Sequence, residues 1–364
     1  VWIMAYTTID DPSAHFQTTL YTGNGSDDHA ITNGGNSDLQ SDLLWFKERA
    51  NSGAHSLHNS TNNVSLFLES NTSGTENYDT TTLKSIQTDG FTLGTESNHN
   101  QASTTYVAWQ WKANGGTRTT FSESGDNPAG GYQANTTGGF SIVDYTGTQA
   151  TGTVAHGLGA VPKMIIVKDR DAARSWSVYH HQMGSPAIEK NMHLSTTAAV
   201  TDYNAEYWSG TNPTTSVFGL GNAHDVNYND RKYIAYVFAE VQGYSKFGSY
   251  VGNGASDASP NTDGPFIYTG FSPAFVIIKK TSAVDDWLIF DNKRAGYDPA
   301  VYRLYPNSNT TETSGTNNTI QFTSNGFKIR FHGGSMNTSG GTYIYMAFAE
   351  HPFVTSTGIP TTAR

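Results

Sequence analysis

The 364-residue chain contains no cysteine. Disulfides, thiolate metal sites and thiol catalysis are therefore excluded, and the composition fits folding in a reducing cytosol. Charge is also scarce. Asp, Glu, Lys and Arg together make 14% of the residues, and the formal net charge is −10. Runs of Lys or Arg do not occur, which argues against nucleic acid and anionic membranes, because phosphate binding needs clustered cations. The apolar stretches are short, such as MIIV at 164–167 and FVII at 275–278, well under the ~18–20 residues of a membrane helix. The opening VWIMAYTTIDDPSAHF has no basic region followed by an apolar stretch. No secretory signal is expected there, and Met4 is a candidate start. Apolar spacing of period 3.6 is almost missing, which leaves little room for helix.

What the chain does contain is 37 glycines, 20 tyrosines and 12% aromatic residues, with abundant Asn and Thr. Aromatic and β-branched side chains suit pleated, half-buried surfaces. Gly and Asn supply turns. The expectation is an all-β chain, long enough for two to four domains.

One turn is written three times: YTGNGS at Tyr21, YTGTQA at Tyr145 and YVGNGA at Tyr250. An apolar strand ending in lysine follows each, as LLWFK (43–47), MIIVK (164–168) and FVIIK (275–279). Eight residues after each lysine a second strand begins, at His55, Trp176 and Trp287. Later come DGFTLG, SVFGLG and NGFKIR, and then closing strands from Thr105, Lys232 and Thr342. The closing strands are apolar on both faces, which predicts a central position covered on both sides. The recurrence predicts three tandem antiparallel β-sandwich modules, jelly-roll-like and related by internal repeat. They would span 21–112, 140–242 and 243–353. An N-terminal arm (1–20), a Gly/Asn/Thr-rich linker (113–139) that reads as a loop or a short extra hairpin, and a C-terminal tail (354–364) complete the division. In Tyr-x-Gly the glycine is expected to take positive φ and the tyrosine to anchor the turn. The short connection 241–250 predicts a fixed orientation for modules two and three, with module one freer.

The stretches MAYTTIDDPSAHFQTTLYTGNGS, YVAWQWKA, HGLGAVPKMIIVKDR, YVFAEVQGYSKFGSYVGNG, TDGPFIYTGFSPAFVIIKK, GGTYIYMAFAEHPF and GIPTTAR resemble a family of tail-fibre-like virion structural proteins of tailed phages, of the marine and cyanobacterial type. The similarity runs from about Met4 to Arg364. It implies a virion protein made in the host cytoplasm, a homotrimer, partnered by other virion proteins and by host-surface glycan. It brings no catalytic residue and no cofactor. The expected function is a tail fibre or related surface component that binds host polysaccharide without covalent chemistry. The alternatives are a purely architectural virion protein (head decoration, collar or nozzle) and a polysaccharide depolymerase.

Candidate sites are few. TDYNAEYWSG (201–210) concentrates aromatic and acidic residues. Sugar rings stack on aromatic faces while Asn and Asp bond their hydroxyls, so Tyr203, Tyr207, Trp208 and Tyr228 are the candidate glycan contacts. Asp225, Asn227 and Asp230 place hard oxygen ligands in one loop, as calcium requires. The equivalent loops carry no carboxylate, and an Asx-turn hairpin is the default. Lys47, Lys168 and Lys279 are expected to snorkel over the core with the ammonium in water. No HExxH, P-loop or nucleophile elbow occurs, and the chain is expected not to be an enzyme.

Overall fold

The computed structural model describes residues 5–255, 263–295, 300–315, 319–330 and 334–361. The candidate start at Met4 lies outside them. As expected, the chain is all-β, with 42% strand and 6% helix. In chain order the first group of strands is β1 (Phe16–Thr22), β2 (His29–Ile31), β3 (Leu43–Glu48), β4 (Ser56–Asn59), β5 (Leu66–Glu69), β6 (Asn77–Tyr78), β7 (Leu83–Gln87), β8 (Gly90–Leu93) and β9 (Thr105–Trp111). The second is β10 (Thr119–Phe121), β11 (Gly130–Asn135), β12 (Phe140–Thr146), β13 (Gly152–Ala155), β14 (Pro162–Asp169), β15 (Ser177–His180), β16 (Lys190–His193), β17 (Thr201–Asp202), β18 (Val217–Leu220) and β19 (Lys232–Ala239). The third is β20 (Ser245–Val251), β21 (Phe266–Tyr268), β22 (Phe271–Lys280), β23 (Trp287–Asp291), β24 (Ile320–Thr323), β25 (Gly326–Ile329) and β26 (Thr342–Pro352).

Each group forms one large antiparallel sheet and one small one. The large sheets share a four-strand order: β1-β9-β3-β4, β12-β19-β14-β15 and β20-β26-β22-β23. The small sheets are β2-β8-β7, β13-β18 and β21-β25-β24. The closing strands β9, β19 and β26 are central, and burial of both alternating faces explains their largely apolar sequences. In the first group Leu44, Phe46, Tyr106 and Ala108 share a cluster with Leu83, Phe91 and Leu93 of the small sheet. Their neighbours Leu43, Trp45, Val107, Trp109 and Trp111 belong to a core common to all three groups.

That common core closes a ring. The second group docks on the first: Trp176 Nε1 donates to Glu69 O at 2.9 Å, and Arg170 pairs with Glu76 at 2.8 Å. The third docks on the second: Trp287 Nε1 donates to His193 O at 3.0 Å, and Val200 N donates to Thr281 O at 3.1 Å. The first then meets the third. Arg49 pairs with Glu312 at 2.7 Å, and Glu312 N donates to Arg49 O at 2.9 Å. At the centre Trp111, Phe238 and Phe348 form a triangle, with ring centroids 6.4, 5.7 and 6.0 Å apart. The expectation of a freer first module is thus corrected, because its sheet is gripped by both neighbours. Of the two forms expected for the linker at 113–139, a loop or a short extra hairpin, the structure holds the hairpin. Its strands β10 and β11 join the β12 edge of the second large sheet, and β16 and β17 at the other edge bring that sheet to eight strands.

Candidate functional site

The recurring turn is a buried polar corner. In each group the Tyr-x-Gly tyrosine stacks on the tyrosine of the closing strand: Tyr21 on Tyr106, Tyr145 on Tyr233 and Tyr250 on Tyr343, with centroids 4.9–5.2 Å apart. The first tyrosine of each pair donates to a carbonyl of a helical turn, at His99, Val226 and Met336. An asparagine ends that turn. Asn100, Asn227 and Asn337 have no exposed surface, and each Oδ1 accepts the N–H of a residue just past the Tyr-x-Gly stretch, at Asn24, Thr148 and Asn253. The glycine is needed for close approach and not for positive φ. A Cβ on Gly23, Gly147 or Gly252 would lie 2.2–2.3 Å from the carbonyl oxygen of Gln101, Tyr228 or Thr338, and none of the three has positive φ.

The three lysines do not snorkel. Lys47, Lys168 and Lys279 are fully buried. Lys47 Nζ donates to Glu48 O and Asn51 O, Lys168 Nζ to Asp169 O and Ala172 O, and Lys279 Nζ to Asp285 O and Thr197 O. Burial lowers each ammonium to about 8, because a desolvated cation loses its hydration. Backbone carbonyls occupy their heads, so they offer no outward ligand contact. The flanking Arg49 and Arg170 are spent on the ion pairs that join neighbouring groups.

The aromatic candidates divide. Tyr207 and Trp208 are buried, with Trp208 only 2% exposed. They pack on Tyr179 and Tyr203, and a ring without an open face cannot receive a sugar. For these two the expected exposed platform is corrected. Tyr203 and Tyr228 stay half-buried at the surface, and the Arg231 guanidinium lies 4.3 Å from the Tyr228 ring centre. The calcium candidates do not converge. Asn227 Nδ2 donates to Ala150 O and Gly221 O, Asp225 accepts from Tyr207 Oη at 3.2 Å, and Asp230 sits beyond at φ 61. No group of three His, Asp or Glu placed to hold a metal occurs among the described residues.

Folding does assemble one constellation that sequence reading missed. Ser56 Oγ lies 2.6 Å from His99 Nε2, and His99 Nδ1 lies 3.0 Å from Glu96 Oε2. Burial raises the Glu96 carboxyl, but its bonds to His99 and Asn98 outweigh that and hold it below the ordinary range. The distances are those of a nucleophile, base and orienting acid. The surroundings oppose the chemistry. The adjoining cavity of about 70 Å³ is lined by Glu69, Asp79 and Glu96, whose negative charge disfavours an oxyanion. Ser56 and His99 are buried, and His58 Nε2 stands 3.4 Å from His99 Nε2. The set works as a satisfied polar network inside the first sheet pair.

A groove of about 550 Å³ runs along β1, where the first group meets the third. Its lining takes in Phe16 to Leu20, the small residues Gly34, Gly35, Ala274 and Ala349, and the charged or titratable Asp11, Lys293, Glu350 and His351.

Residues 11–352 match the family described as Domain of unknown function (DUF7483). No curated protein and no solved structure matches the chain.

Proposed function

The chain belongs to the DUF7483 family, whose description assigns no activity, and we propose that it is a phage virion structural protein, a tail fibre or related surface component. In this reading the three groups are jelly-roll-like sandwich modules related by internal repeat. The observation that carries it is the closed ring. Three strand groups with one connection order are locked by Arg170–Glu76, Arg49–Glu312 and a shared aromatic centre. Such a body is rigid without disulfides, and it keeps a polar, charge-poor exterior suited to close packing in a particle. The resemblance to virion proteins supports the same reading.

Contact with host-surface glycan, if present on this chain, falls to Tyr203 and Tyr228, the two candidate rings at the surface. Burial of Tyr207 and Trp208 favours the second reading, a purely architectural component. Adsorption of the labelled chain to host cells, before and after periodate oxidation of their sugars, separates the two. Saturable binding that is lost on oxidation, and lost in Tyr203→Ala with Tyr228→Ala, supports the fibre. Binding indifferent to both treatments leaves the architectural role. The homotrimer belongs to the proposal as an assembly of three rings. Light scattering tests it against the 39.4 kDa of one chain.

A further inference from the structure

The first strand of each large sheet exposes one edge, and the three edges meet different fates. In the second group β11 pairs with β12 in antiparallel register, Asn135 opposite Phe140 through Gly130 opposite Tyr145. In the third group side chains occupy the equivalent edge of β20. Phe247 O accepts from His181 Nε2 at 2.9 Å, and Phe247 N donates to Glu240 Oε2 at 3.4 Å. In the first group the edge of β1 is open.

Two bonds fix which backbone groups point outward. Gly23 N donates to Thr104 O and Lys112 N donates to His15 O, and the β1–β9 register between them is continuous. Odd-numbered residues therefore bond β9, and Phe16, Thr18 and Leu20 turn their N–H and C=O toward the groove. Those groups have no hydrogen bond among the described residues. Thr18 Oγ1, on a residue 8% exposed, is buried and unpartnered as well. Groups of this kind are normally satisfied.

We propose that the β1 groove accepts an extended strand of another polypeptide, adding a sheet strand where β11 already does so for β12. The equivalence is residue for residue, since Tyr21 corresponds to Tyr145 and Thr18 to Ile142. It defines the guest by analogy: an uncharged segment like Gly130–Asn135, sequence GGYQAN, running antiparallel to β1. Gly34, Gly35, Ala274 and Ala349 give part of the lining little bulk, and its Lys293 and Glu350 already pair with each other at 2.8 Å, so a charge on the guest is not called for. A hydrogen-bonding side chain opposite Thr18, where β11 places Gln133 opposite Ile142, would satisfy its hydroxyl. Main-chain bonds supply affinity in such strand addition, and the side-chain walls supply selectivity. The inference stands apart from the virion reading.

The probe is a labelled peptide of residues 128–137, titrated with the intact chain and followed by fluorescence anisotropy. Saturable binding is expected. Thr18→Pro removes one outward N–H and no bond to β9, a change that edge strands tolerate. It should weaken binding about tenfold, while Thr18→Val, which keeps that N–H and loses only the hydroxyl, should weaken it less. If Thr18→Pro does not fold, a peptide carrying Gln133→Pro carries the same test from the other side. Absence of saturable binding, or equal binding by either proline variant, overturns the proposal. So does a concentration-dependent dimer abolished by Thr18→Pro, which would make the edge a contact between copies of this chain.

Discussion

A lysine without water is the most telling single side chain here, and it occurs three times. Between pH 8 and 10.5 the unfolded chain binds protons that Lys47, Lys168 and Lys279 in the fold release, because their folded values sit at about 8 against an ordinary 10.5. Their contribution to stability therefore rises with pH across that window. As pH approaches 10 the sign reverses. Burial raises Tyr21, Tyr145 and Tyr250 well above their ordinary 10.0, so the unfolded chain sheds protons that the fold keeps. Below 6.5 the fold also loses ground, since burial lowers His58 and His180 to about 3 and only the unfolded chain takes up those protons. Burial raises Tyr106, Tyr233 and Tyr343 too, so thermal melts should show maximum stability between pH 8 and 10. Each single change Lys47→Met, Lys168→Met or Lys279→Met should remove about a third of the rise above pH 8, because the three groups share one environment. A melting temperature flat or falling from pH 8 upward would contradict the buried-ammonium account.

The Tyr-x-Gly corner makes its own prediction. Alanine at Gly147 would drive its Cβ to 2.2 Å from Tyr228 O, and neither backbone can retreat without breaking the Asn227 bonds. Gly147→Ala should cost about 1–3 kcal/mol in denaturant unfolding, whereas Gly34→Ala, where nothing lies within 4 Å of the added carbon and φ is not positive, should not incur the close-approach cost. Equal losses would contradict the close-approach account of glycine at 147. The corner also shows what sequence could and could not disclose. Lysine-to-strand spacing, the closing strands and the tyrosines were legible because strand order repeats in register. Asn100, Asn227 and Asn337 were legible in principle, each six residues before the closing-strand tyrosine, but flanking loops of unlike composition hid them. The direction of a lysine head was not legible. Snorkelling and capping of backbone carbonyls leave the same residue at the same strand end, and only the turn past the strand decides. Tyr207 and Trp208 misled for a related reason, since a loop rich in Asp, Asn and Gly looks exposed until its rings fold under it. Ser56, His99 and Glu96 are separated by up to 43 positions, which no local pattern joins.

Ring closure decides how the chain comes apart. Three beads on a string would melt independently, as the expected freedom of the first module implied. The common core forbids that, because Trp111, Phe238 and Phe348 each come from a different closing strand and touch both others. Only the junction of the third group with the first lacks a directly connecting segment, so Arg49–Glu312 and the central triangle do there what the chain does elsewhere. Calorimetry should give one cooperative transition for the three groups together. Phe238→Ala should lower stability by about 3–5 kcal/mol, and native-state hydrogen exchange should report the loss in β9, β19 and β26 together. Protection lost in β19 alone, with β9 and β26 unchanged, would mean that the groups fold separately and that the ring is only contact. Glu312→Gln probes the same closure from the rim. It leaves Arg294, whose side chain is fully buried, with Asp291 as its remaining carboxylate, and Arg49 with none. Breaking a buried pair from one side costs about 3–5 kcal/mol, discounted here because Arg49 keeps some solvent. The loss should therefore fall below that of Phe238→Ala, yet spread equally over the three closing strands.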